Sequence, residues 1–158
     1  MSADEEIQLV TFRLGGQTLA FNVFEVERVL RYEPPAPLPK APAFLAGMLR
    51  HGQEAIPVVD LRARLDVPVE VNEDTRTMVL EWEQGKIGVV VDAVQELLKV
   101  PVTEVQPPPP IVKGLAAKYV NGVVSRGTRT IVVLAVSRLL SSKERLQLEG
   151  LAAEATHE

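Results

Sequence analysis

At 158 residues the chain has the length of one domain, and a hydrophobic content of 46% is enough to bury a core, which excludes disorder for the bulk of it. A formal net charge of −4 with scattered basic residues leaves no stripe to neutralise phosphates, and an aromatic content of 4% supplies no stacking platform, so nucleic-acid binding is not expected. Cysteine is absent, which removes disulfides, thiolate catalysis and cysteine-ligated zinc. No apolar run approaches the roughly 18 residues that cross a bilayer. The acidic opening Met1–Glu6 is opposite in character to a signal peptide, and a cytoplasmic location without membrane insertion is the expectation.

Ile7 to Leu14 alternates, with Val10, Phe12 and Leu14 on one face; Gly15-Gly16 suits a tight hairpin, and Leu19, Phe21 and Val23 resume the alternation. From Val23 to Arg31 the spacing of Val23, Val26, Val29 and Leu30 predicts a short helical turn. Pro34, Pro35, Pro37, Pro39 and Pro42 force an extended connection, Ala43 to Ala46 reads as one helical turn, and His51 to Glu54 is a hairpin tip between two short strands. Thr77–Glu83 and Lys86–Val91 predict a further hairpin. Pro107–Pro110 is a second stiff linker, and Tyr119–Val124 with Thr130–Val136 is the last hairpin. Ser137 to Leu148 reads as a C-terminal helix capped by Ser137 and ended by Gly150. Many short strands with glycine turns and no long crossover helix point to antiparallel barrels or a sandwich.

One phrase recurs. Val58-Val59-Asp60 and Val90-Val91-Asp92 each have a leucine five residues beyond the Asp, which predicts a strand, an Asp corner and a short helix used twice. The doubled corner and the two proline runs favour two small barrels over one large one. Asp60 and Asp92 could pair for acid–base chemistry, but their equivalent places at strand ends make structural corners the better reading. Arg62 and Arg64 could clamp an anion, although such residues more often line a solvated helix face. His51 sits in a hairpin tip and His157 in the tail, so a shared metal site is not expected, and Ser125 lacks the glycine flanks of a nucleophile elbow.

Val26-Glu27-Arg28-Val29 behind the opening hairpin, Pro42-Ala43-Phe44 before Gly47, Pro57-Val58-Val59-Asp60-Leu61-Arg62, Gly88 to Asp92, Tyr119-Val120-Asn121-Gly122 and Ser137-Arg138-Leu139-Leu140 fall in one order. In that order the chain resembles the CheW-type coupling proteins of bacterial chemosensory arrays over nearly its whole length. The resemblance implies a mostly β fold: two interlocked five-stranded SH3-like antiparallel barrels with short helices and a C-terminal helix. It would form a single domain, with residues 17–76 as one barrel, 77–150 plus strand 7–14 as the other, and 151–158 as a tail.

The resemblance further implies no catalysis and no cofactor or metal. It implies recruitment to receptor arrays and docking to the cytoplasmic tip of methyl-accepting receptors, to the regulatory domain of a CheA-type histidine kinase and to other CheW-like adaptors. Val26 and Val29 carry over as receptor contacts. Where the family has Asn-Leu-Arg-Gly, this chain has Arg50, His51, Gly52 and Gln53, and Arg28 stands where the family's short segment is acidic. With that acidic–basic pair replaced, Arg28 is expected to pair locally with Glu25 or Glu54. An accessory adaptor that couples weakly to the kinase is the alternative. Readings from other classes are a small enzyme using Asp60 and Asp92, and a structural module of an unrelated complex.

Overall fold

The computed structural model describes residues 5–64, 70–82, 85–108, 119–141, 143–144 and 146–148. Hairpins come first, because alternating runs are separated by residues that tolerate positive φ. β1 (Glu6–Leu14) and β2 (Gln17–Asn22) meet across Gly15 and Gly16, at φ 60° and 81°, a two-residue loop whose backbone matches the strand twist. β3 (Val26–Arg31) follows a 3₁₀ turn at Val23–Glu25, then come β4 (Leu45–His51), β5 (Glu54–Val59) and the one-turn helix α1 (Leu61–Arg64). The second half repeats the plan with the hairpin β6 (Arg76–Trp82) and β7 (Gly85–Val91), then β8 (Ala93–Pro101), β9 (Val120–Arg126), β10 (Arg129–Leu134) and α2 (Val136–Leu139).

The two halves exchange their hairpins. One sheet runs β8-β1-β2-β10-β9 and the other β3-β6-β7-β5-β4, mostly antiparallel, with the parallel pairs β2–β10 and β5–β7. Residues 17–76 and 77–150 therefore do not separate the sheets: β2 lies with β8–β10, and β6 and β7 lie with β3–β5. The sequence division follows chain order, whereas each hairpin finds its hydrogen-bonding edges in the other half.

Each sheet curls until its edges meet. Past β3, Ala36 and Met48 of β4 exchange backbone hydrogen bonds at 2.8 Å; past β8, Gln106 and Val123 of β9 do so at 2.9 Å. Closure hides the strand edges that would otherwise template aggregation. Glycines allow it. A Cβ on Gly47 would collide with the Ala36 carbonyl oxygen, and one on Gly122 would stand 2.8 Å from Val105 Cγ1.

Leu9, Ala20, Val100, Val124, Ile131 and Val133 fill the first barrel, and Leu49, Ile56, Val58 and Val79 fill the second. The largest cluster lies between them and draws on both sheets: Phe12, Leu19 and Phe21 from one, Met78, Leu80 and Val89 from the other. Phe12 and Phe21 stack there with centroids 5.3 Å apart. The central strands are thus buried on both faces.

Four expectations are corrected. Val26–Arg31 is a strand, not a helical turn: a β-bulge at Glu27 inserts one residue, so Val26 and Val29 face the same side, opposite Leu80 and Met78. A bulged strand imitates helical spacing. Asp92 begins no helix; its N–H donates to the Arg13 carbonyl at 2.9 Å and the chain continues as β8. The C-terminal segment is broken at Leu140. Ser137 lies inside α2, and the capping box belongs to Ser141, whose Oγ accepts from the Glu144 N–H while its own N–H donates to Glu144 Oε1. Ala43–Phe44 is a turn and β4 begins at Leu45. His157, Gly150, residues 151–158 and Pro109–Pro110 lie outside the described residues.

Candidate partner-binding surface

Asp92 is held from two sides. One carboxylate oxygen accepts from the Gly15 N–H at 2.8 Å and the other from Arg62 Nη2 at 2.7 Å. The Arg62 side chain is 3% exposed, so this charge pair joins α1, the β1–β2 loop and the end of β7 away from most solvent. Asp60 sits at the start of α1, its N–H donating to the Phe44 carbonyl at 3.0 Å. With both its oxygens engaged, Asp92 is a tie between the barrels. Among the described residues no group of three His, Asp or Glu is placed to hold a metal ion.

β3 is an edge strand, and its inter-barrel face is incompletely covered. Val26 is half-buried against the shared core, while Val29 is 40% exposed. Phe24, in the preceding turn, is 87% exposed and held by its N–H donating to Asn22 Oδ1 at 3.0 Å. The sequence reading passed over Phe24 because it falls out of phase with Val23, Val26 and Val29. An Asn able to cap a short turn just before an aromatic residue was the available signal.

The start of β3 also joins a charged group with β5 and β7 at one end of the second barrel. Arg28 pairs with Glu27 Oε1 at 2.5 Å, and Lys86 reaches both Glu27 at 2.8 Å and Glu54 at 2.7 Å. Glu27 Oε2 is buried, and its contact with Lys86 is an ion pair rather than a well-angled hydrogen bond. The Lys86 ammonium, helped by Arg28, holds the Glu27 carboxyl below its ordinary value, and Glu27 with Glu54 raises that of Lys86. Neither expected partner of Arg28 is used: Glu54 is taken by Lys86, and Glu25 accepts from the Val136 N–H at 3.0 Å. Burial raises the Glu25 pKa against the lowering effect of that hydrogen bond.

Arg50, His51, Gly52 and Gln53 form the β4–β5 tip. His51 faces Glu54 across a two-residue loop whose first member is Gly52 at φ 62°. Lys86 and Glu54 link this tip to Glu27 and Arg28, so the structure brings together the two segments the sequence reading singled out. Val26 and Val29 lie on the inter-barrel face instead.

Exposed apolar side chains on one face of an edge strand and a charged barrel end are means by which one protein holds another, and the class they define is a docking scaffold. The chain belongs to the CheW family: the model of the CheW-like domain matches residues 8–144. Chemotaxis protein CheW of Treponema pallidum (strain Nichols) is 32% identical over 153 residues, covering 94% of this chain and 90% of that protein. Protein FrzA of Myxococcus xanthus is 34% identical over 143 residues, covering 89% of each. The crystal structure of scaffolding protein TtCheW from Thermoanaerobacter tengcongensis superposes with a TM-score of 0.81 at 26% identity, covering 90% of this chain and 94% of that one. The chain is a chemotaxis adaptor of a non-catalytic family that couples receptors to the kinase CheA, and the accessory-adaptor and enzyme readings are not favoured. No helix among the described residues is long and apolar enough to cross a membrane.

Proposed function

We propose that this chain works in the cytoplasm as a single-domain adaptor recruited to receptor arrays. Its two faces divide the labour. The tip of a methyl-accepting receptor, an apolar helical hairpin, seats on Phe24, Val26 and Val29; the charged barrel end, with Arg28, Arg50, His51, Gly52 and Gln53, meets the regulatory domain of a CheA-type kinase or another CheW-like adaptor. The observation that carries the reading is the exposure of Phe24 and Val29 beside the shared core, since a helix laid on them would bury apolar surface now in water.

Co-sedimentation with a receptor-tip fragment and with the kinase regulatory domain, tested separately, decides it. Phe24→Ser and Val29→Asp are exposed changes that should move stability by only about 0.5 kcal/mol. Both should lose receptor binding and keep kinase binding. Folded variants that bind the receptor normally would sink the assignment.

A further inference from the structure

The face of β3 that carries Val26 and Val29 does not end on an apolar residue. Two positions beyond Val29, on the same side of the strand, stands Arg31, and its direct cross-strand partner is Arg76. Like charges placed opposite each other in a sheet repel. Neither guanidinium has an ion pair with any described residue. Arg76 is oriented by its own loop, Nη1 donating to the carbonyls of Glu73 and Thr75 at 2.8 and 2.9 Å. Arg31 is exposed. The pair lines a groove of about 630 Å³ together with Tyr32, Val71 and the 72–75 loop, which includes Glu73 and Asp74. One stripe thus runs Val26, Val29, then two arginines that form no ion pair with any described residue.

We infer that Arg31, oriented against Arg76, reads a carboxylate on the receptor helix that seats on Val26 and Val29. The inference rests on the docking reading above and adds a determinant of which receptor is accepted. Charge complementarity selects the occupant, since an acidic side chain supplies the anion the pair lacks. Geometry sets the register. Arg31 lies about 7 Å along the strand from Val29, and a helix rises about 1.5 Å per residue. A helix lying along β3 therefore presents the carboxylate about four to five residues past the side chain that meets Val29. Arg31 is the discriminating residue, and Arg76 positions it and adds charge.

The test uses the full chain and a receptor-tip fragment that co-sediments with it. Arg31→Glu should weaken binding about tenfold, the effect of losing a charged hydrogen bond, and Arg31→Lys should recover most of it. Replacing the acidic positions of the tip by lysine one at a time should yield one variant that binds Arg31→Glu better than wild type. Full binding by Arg31→Glu while Val29→Asp fails would overturn the inference and leave the docking face standing. Full binding by both, or no binding of the tip by wild type, would remove the docking face and this inference with it.

Discussion

Glu25 and Glu27 stand on either side of Val26, and burial and charge move their carboxyls in opposite directions. The pKa of Glu25 is raised in the fold, so its contribution to stability is full below its ordinary value and is lost as pH rises through the raised one. That of Glu27 is lowered, so its contribution is present above the ordinary value and is lost as pH falls through the depressed one. Glu25→Gln keeps an oxygen for the Val136 N–H and removes the cost of burying charge. Its stability relative to wild type should grow as pH rises from about 4 to about 7, whereas the deficit of Glu27→Gln should be full above about pH 4.5 and shrink as pH falls below it; urea melts on both sides of that value check both. A larger loss is expected at Asp92. Removing its carboxylate leaves Arg62 buried without a counter-charge, and Asp92→Ala should cost about 3 kcal/mol. Asp60→Ala, at the boundary of α1, should cost about 0.5–2 kcal/mol, as lost caps do. Equal losses in thermal melts would refute the distinction between the two corners.

Elements were legible where period and turn agreed. The β1–β2, β6–β7 and β9–β10 hairpins combine apolar, β-branched-rich runs with glycine at or beside the loop, so the sequence reading found them. β3 and β8 escaped it for one shared reason. Each carries a bulge, at Glu27 in β3 and at Gln95 opposite the Thr11–Phe12 step, and each is an edge strand with a mixed outer face. The repeated Val-Val-Asp phrase misled in the same way, because β5 corresponds by position in its sheet to β10, and β7 to β2. The true counterpart of the Asp60–α1 corner is Ala135–α2, where no Asp marks it. Of the site, Val26 and Val29 were legible as apolar residues beside the seam of two barrels and were named as receptor contacts through the family resemblance, although local spacing gave them the wrong element. Closure gives the element-scale prediction. Gly47→Ala meets both the Ala36 carbonyl and a φ of 151°, and should cost about 3 kcal/mol. Gly52→Ala meets open space at φ 62° and should cost about 1 kcal/mol. The same strain would attend any larger side chain at Gly52. Circular dichroism melts of the two variants should rank them in that order.

For the whole molecule, hairpin exchange decides what can fold alone. Residues 1–70 hold β1–β2, which need β8–β10, and β3–β5, which need β6–β7; residues 71–158 hold the complementary strands. Neither fragment can complete a five-stranded sheet, and each would leave its half of the shared cluster in water, where buried apolar area stabilises by about 25 cal/mol per Å² once covered. The intact chain should therefore unfold in one transition with coincident fluorescence and circular dichroism midpoints, because Trp82 reports from the second barrel and packs against the cluster both barrels share. Expressed separately, the fragments should be unstructured. Mixed, they should associate and regain the β-sheet signal, since the loop cut at residue 70 lies outside every sheet ladder. A fragment 1–70 that folded as a monomer would show that β1–β2 can pair with β3–β5 of its own half. A fragment that folded only as a homodimer would show the same exchange taking place between copies. Either result would mean that the exchange is not required by the strand edges, and the explanation of single-domain cooperativity would then have to rest on the shared core alone.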